Sequence, residues 1–190
     1  PPAGSPVLDA PDMAPLAIRR GIAVHTLFQM LPDVAPDRRA ATARTWLARS
    51  AADWPEGEAE RSLQSVLAIL ADERLGDVFG PGSRAEVPVS GHVEIAGRRH
   101  PVSGIIDRLS VSDDRVLALD YKTNRPPPGS LEQVPAAYVV QMALYKALLR
   151  QLWPDRPVAC ALLFTEAARL ITLPDAAMDE ALARLSRHQA

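Results

Sequence analysis

Cysteine is almost absent from this chain: Cys160 is the only one in 190 residues. A single thiol excludes an internal disulfide, a zinc site built on cysteines and an iron–sulfur cluster. Cys160 lies in the apolar run 158–164, where a small buried hydrophobe is expected. Long hydrophobic runs are also missing. No stretch reaches the roughly 18 apolar residues that a membrane span needs, so no membrane partner is expected. Residues 1–15 lack the basic start and apolar run of a secretion signal.

A basic excess is missing as well. The net charge is −2, so nothing in the overall charge advertises nucleic acid, and any grip on DNA is expected to come partly from elsewhere. Lysine is scarce: of 21 Lys plus Arg, only Lys122 and Lys146 are lysines. Where a chain uses arginine by default, a lysine marks a place that wants a compact ammonium rather than a planar fork.

What is present is a foldable sequence, 47% hydrophobic and long enough for one domain with a real core. Five prolines in residues 1–15 read as a linker, leaving 16–190 as a single domain and suggesting a piece of something longer. Helical spacing then runs over 16–31, with Ile18, Ile22, Leu27 and Met30 near one face. Further helices are expected over 38–52 and 58–75, before Gly80-Pro81-Gly82 breaks the pattern. Alternation over 85–95, a turn at Gly97, and apolar runs at 102–111 and 116–121 predict a three-stranded meander. A long helix over 136–152, late strands at 158–165 and 169–173, and a closing helix over 175–187 complete an α/β core with a helical preface. A crossover helix between strands implies a mixed sheet.

The chemistry concentrates in Gly104-Ile105-Ile106-Asp107 and in Leu119-Asp120-Tyr121-Lys122-Thr123-Asn124. Asp120 and Lys122 sit at i and i+2 and so project to one face of a strand, and a neighbouring strand can bring Asp107 alongside. Two carboxylates held together repel unless a cation sits between them, and Mg²⁺ suits hard oxygen ligands. A lysine beside them can donate to water or to a charged transition state. Taken alone, the Asp-x-Lys spacing equally fits two residues flanking a turn. His25 fits a boundary histidine on an amphipathic helix, and Gln141 with Tyr145, at i and i+4, fits ordinary helix packing. Glu86 lies on the first strand, either facing the site or exposed. Trp46, Trp54 and Trp153 read as core or boundary residues.

Four segments in order carry a resemblance: Gly21-Ile-Ala-Val-His25, Gly104-Ile-Ile-Asp107, Asp120-Tyr-Lys122 and Gln141-Met-Ala-Leu-Tyr145. Together they resemble the PD-(D/E)xK nucleases of the RecB type, and in texture most of all the nuclease domain that ends the AddA subunit of AddAB-type helicase–nucleases. Ile105-Ile106 stand where the family's name has a proline. The resemblance implies a restriction-endonuclease-like α/β fold, with a mixed central sheet flanked by helices and an N-terminal helical extension. It implies Mg²⁺ (Mn²⁺ or Ca²⁺ as binding substitutes) held by His25, Asp107, Asp120 and the backbone carbonyl of Tyr121. Asp107, Asp120 and Lys122 would be catalytic, and Gln141 and Tyr145 would contact DNA or steady the lysine. It further implies DNA as substrate, a helicase region in the same chain, an AddB-like second subunit, double-strand-break processing and a bacterial cytoplasmic, nucleoid-associated setting. Another enzyme of the superfamily, such as a stand-alone exonuclease, and an inactive nuclease fold that only binds DNA or a partner remain alternatives. A cysteine-clustered relative is excluded by the lone Cys160.

Overall fold

The computed structural model describes residues 14–188. Most of the expected linker lies outside them, while Ala14 and Pro15 already belong to the first helix. The order is α1 (Ala14–Met30), α2 (Pro36–Ser50), α3 (Glu58–Leu70), the short α4 (Gly76–Phe79), β1 (Ser83–Ile95), β2 (Arg98–Val111), β3 (Val116–Lys122), α5 (Ala136–Leu152), β4 (Val158–Phe164), β5 (Arg169–Leu173) and α6 (Asp175–His188). The five strands form one sheet in the order β1-β2-β3-β4-β5. Only the β3–β4 pair is parallel, and α5 is the crossover that such a pair requires.

Local chemistry explains the boundaries. Pro36 opens α2 at its first turn, where the missing N–H costs nothing. The β1–β2 hairpin closes on Ala96-Gly97, both at positive φ, which matches the right-handed twist of the flanking strands. β3 (VLALDYK) and β4 (VACALLF) are almost continuously apolar because both faces of the sheet are covered there. On one face Val116, Ala118, Cys160, Leu162 and Phe164 pack with α5 and α6. On the other Leu119, Tyr121, Ala161 and Leu163 pack under the four N-terminal helices. Cys160 is fully buried, and burial pushes its thiol up to about 12, so it acts as a hydrophobe at neutral pH.

α1 buries a different stripe from the one its spacing suggests. Ile18 and Ile22 are exposed, at 53% and 62%, while Val24, Leu27, Phe28 and Leu31 go inward. The inward set contains the Leu-Phe pair and its neighbours at i±3 and i±4, which outweighs the isoleucine pair. Trp54 is buried, and Trp46 and Trp153 are half-buried against the cores.

Phe28 does the positioning work of this helix. Its ring is fully buried and stacks on Tyr121 at 4.5 Å, and on Phe79 at 5.6 Å. Truncating such a ring costs about 3–5 kcal/mol. Here it would also free α1 from β3, the strand that carries Asp120 and Lys122. A buried ion network ties the same parts together. Glu58, on α3, pairs with Arg61 at 2.6 Å, Arg125 at 2.5 Å and Arg20 at 3.7 Å. Arg125 also reaches Glu166 at 2.7 Å, and Arg20 donates to the carbonyl of Thr123 at 3.1 Å. The loop leaving Lys122 is thereby fastened to α1 and α3.

Candidate active site

The β2–β3 ladder stops at the pair Arg108–Leu119. One step further the strands splay, and a side chain fills the gap: Asp107 Oδ2 accepts the Tyr121 N–H at 2.7 Å. Asp107 is therefore wedged between two strands and 8% exposed. From α1, His25 reaches the same point although it lies 96 residues from Tyr121: its Nε2 is 3.2 Å from the Tyr121 carbonyl oxygen. Its Nδ1 is 3.4 Å from Asp107 Oδ1, and its ring meets Tyr121 edge-on. The two ring nitrogens of His25 thus face a carboxylate on one side and a carbonyl on the other.

Asp120 and Lys122 do project together, on the α5 face. Lys122 Nζ lies 2.6 Å from Asp120 Oδ2 as an ion pair, 3.3 Å from Gln141 Oε1, and 4.0 Å above the ring of Tyr138. Gln141 donates in turn to Asp120 Oδ1 at 3.1 Å and to the Tyr145 hydroxyl at 3.3 Å. Asp120 Oδ2 is buried, and its charge is met by the Lys122 ammonium 2.6 Å away.

Gln141 and Tyr145 were expected either to touch DNA or to steady the lysine; here Gln141 touches both Lys122 and Asp120, and Tyr145 touches Gln141. Tyr145 is buried over β2, and it explains the glycine two residues before Ile106. A Cβ on Gly104 would come within 2.8 Å of Tyr145 Cε1 and 2.9 Å of Cζ. The glycine of one motif is thus the seat of the tyrosine of another. Tyr138 was missed by the sequence reading, yet it sits at i−3 from Gln141 and so shares its helix face. The Glu58 network was also missed, and a lone glutamate at a helix start gives no signal of burial.

Electrostatics set the groups against one another. Burial first, and then the charge of Asp107, push the Asp120 carboxyl up to about 6, against the pull of Lys122 and His25. Burial pulls the His25 imidazole down, but the hydrogen bond and charge of Asp107, with Asp120 and Glu86 behind it, outweigh this and leave it raised. Glu86 is raised by burial and by Asp107, with His25 opposing. Carboxylates and an imidazole perturbed together in this way make the group a candidate functional site.

The donor set fits a hard divalent ion. His25, Glu86 and Asp107 each offer a ligand atom, all within 4.8 Å of one another. The Tyr121 carbonyl stands beside His25 in the same group. A cleft of about 330 Å³ lined by Gly21, Ile22, His25, Thr26, Gln29 and Glu86 opens this group to solvent.

A family model described as the PD-(D/E)XK nuclease superfamily matches residues 6–189 of the chain. The chain belongs to the PD-(D/E)XK nuclease superfamily. The mixed five-stranded sheet flanked by helices is the superfamily's fold, and Asp107, Asp120 and Lys122 meet where the β2–β3 ladder stops. No curated protein matches the chain. Among solved structures it is similar to one titled "Crystal structure of SSO0001", at 13% identity, over 87% of this chain and 74% of that one, with a TM-score of 0.36. That overlap adds nothing to the superfamily assignment. Among the described residues no helix is long and apolar enough to cross a membrane.

Proposed function

We propose that this PD-(D/E)XK domain is a Mg²⁺-dependent deoxyribonuclease that hydrolyses phosphodiester bonds. The observation that supports it best is the meeting of His25, Asp107 and the Tyr121 carbonyl near the Asp120–Lys122 pair, where the β2–β3 ladder stops. His25, Asp107, Asp120 and the Tyr121 carbonyl would hold the ion, which when bound supplies charge for the phosphate and a more acidic water. Lys122 is the cation of the chain itself. Its ammonium is enclosed by Asp120, Gln141 and Tyr138, and it can donate to an attacking water or to a nonbridging phosphate oxygen. Gln141 fixes that ammonium by accepting from it while donating to Asp120, so one side chain sets the spacing of two catalytic groups. Ile22 and Thr26 line the open side of the cleft, by which a phosphate would enter.

The proposal extends to context. The motif order, with a net charge of −2, favours a nuclease domain carried by a helicase–nuclease of the AddAB or RecB kind, where other regions of the machine grip DNA during double-strand-break repair. An AddB-like subunit would be the partner, exonucleolytic cutting driven by ATP the activity, and the bacterial nucleoid the place. The test is cleavage of linear single- and double-stranded DNA with and without Mg²⁺, run beside Asp120→Ala. Mg²⁺-dependent cutting that the variant abolishes is expected. Cutting unaffected by Asp120→Ala refutes the assignment, and a folded domain that binds DNA without cutting in any context favours the non-catalytic reading.

A further inference from the structure

Glu86 stands in a conformation that β-strands avoid. It lies inside the 13-residue β1, yet its φ is +50°, in the left-handed region. Ladder pairs continue on both sides without a change of register, Ala85 with Arg108 and Val87 with Ile106, and are interrupted only where Glu86 faces Asp107. No residue is inserted, so this is no bulge that bends the strand. A non-glycine residue held there costs of order 1–3 kcal/mol and persists only because the pairing around it dictates it. Glycine would remove that strain, yet a long acidic side chain occupies the position.

The side chain goes to the site. The Glu86 carboxylate lies with His25 and Asp107 in the group whose ligand atoms are all within 4.8 Å of one another, and it lines the open cleft beside His25. Among the described residues no hydrogen bond or ion pair engages its oxygens. The Asp120 carboxylate, by contrast, is engaged by Lys122 and Gln141 on the α5 face. The two faces of the site are thus unequally supplied: the β1 side presents a carboxylate committed to nothing else.

We propose that Glu86 is a further divalent-metal ligand of this site, supplied from β1 on its solvent-open side, next to Asp107 and His25. This rests on the metal-dependent reading above and adds a donor to it. The flexible Glu86 side chain would add a third donor beside Asp107 and His25, and it would also limit which ions fit. Three carboxylates with one imidazole favour Mn²⁺ and Mg²⁺ over softer metals.

The experiment measures Mn²⁺ affinity of the purified chain by calorimetric titration, with free Mn²⁺ checked by its electron-spin resonance. Four variants are compared with the parent: Glu86→Gln, Glu86→Gly, Asp107→Asn and Glu94→Gln. Glu86→Gln keeps the shape and removes the charge. Glu86→Gly removes the side chain and suits the backbone at φ +50°, so one of the two stays folded even if the other does not. Both are expected to weaken Mn²⁺ about tenfold or more, the scale on which even supporting groups of a metal site act. Glu94, exposed on the same strand, is expected to have no effect when neutralised. If a folded Glu86 variant binds Mn²⁺ as the parent does while Asp107→Asn does not, the proposal is overturned and the metal-dependent reading stands. If the parent itself binds no Mn²⁺, both fall.

Discussion

Replacing Lys122 by arginine conserves charge and therefore isolates shape. The ammonium occupies a closed niche: Lys122 is 7% exposed, with Asp120 Oδ2 at 2.6 Å, Gln141 Oε1 at 3.3 Å and the Tyr138 ring at 4.0 Å. A guanidinium is wider and planar, and none of these three neighbours can retreat cheaply. Gln141 is held by Tyr145, Tyr145 is seated on Gly104, and Asp120 is anchored by the pairing of β3 with Leu162 of β4. Forcing extra volume into such packing costs about 1–3 kcal/mol. That sum is tolerable for a domain of this size, so Lys122→Arg is expected to fold with a reduced melting temperature. Cleavage is expected to fall much further, by about 10² or more, the scale for losing one oriented donor to a developing charge. Mn²⁺ affinity should hold within a few fold, because the charge beside Asp120 is retained. The assay is initial cleavage rate against Mg²⁺ concentration for the parent, Lys122→Arg and Lys122→Ala. A parental rate for Lys122→Arg would show that any cation serves there, and the role assigned to Lys122 would be wrong.

Asp120→Asn is expected to cut slowly and to recover partly at high Mg²⁺, a rescue that should not occur for Lys122→Ala; equal behaviour of the two would remove the division of labour between them. In metal-free buffer, the raised carboxyls of Asp120 and Glu86 stabilise the fold below the ordinary carboxylate range and stop doing so as pH rises through their folded values, about 6 for Asp120. The raised imidazole of His25 acts in the same direction. Mn²⁺ should therefore raise the melting temperature more at pH 7.5 than at pH 5, and an equal shift at both would contradict this electrostatic account. Gly104→Ala should cost about 1–3 kcal/mol by driving a methyl into Tyr145, and pairing it with Tyr145→Leu should restore stability but not activity. Glu58→Gln, which removes the carboxylate that Arg20, Arg61 and Arg125 share, should destabilise by about 1–3 kcal/mol in chemical denaturation; no measurable loss would show the network to be ornamental.

Much of this architecture was legible because period and punctuation agree. α5 has the limits its spacing predicts, between Pro135 and Trp153, and the β1–β2–β3 meander is announced by Gly97 and by the polar turn at 112–114. The site residues were legible as a pattern of four short segments, each weak alone. What was not legible depends on packing between distant elements. The choice between Ile22 and Phe28 as the inward residue of α1 is made by Tyr121, which lies on a strand about ninety residues later. The orientation of Glu86 depends on a backbone angle that no neighbouring residue type signals. Tyr138 and Glu58 have their roles only because Lys122 and Arg125 arrive beside them.

The parallel pairing of β3 with β4 through α5 has a consequence for the order in which the candidate site is completed. In a chain made from its N-terminus, His25, Asp107, Asp120 and Lys122 all emerge before Gln141 and Tyr145, and β3 lacks its second neighbour until residues 158–164 have followed. Until then β3 has an open edge, and a still-growing chain carries the charged residues of the site ahead of the helix and strand that brace them.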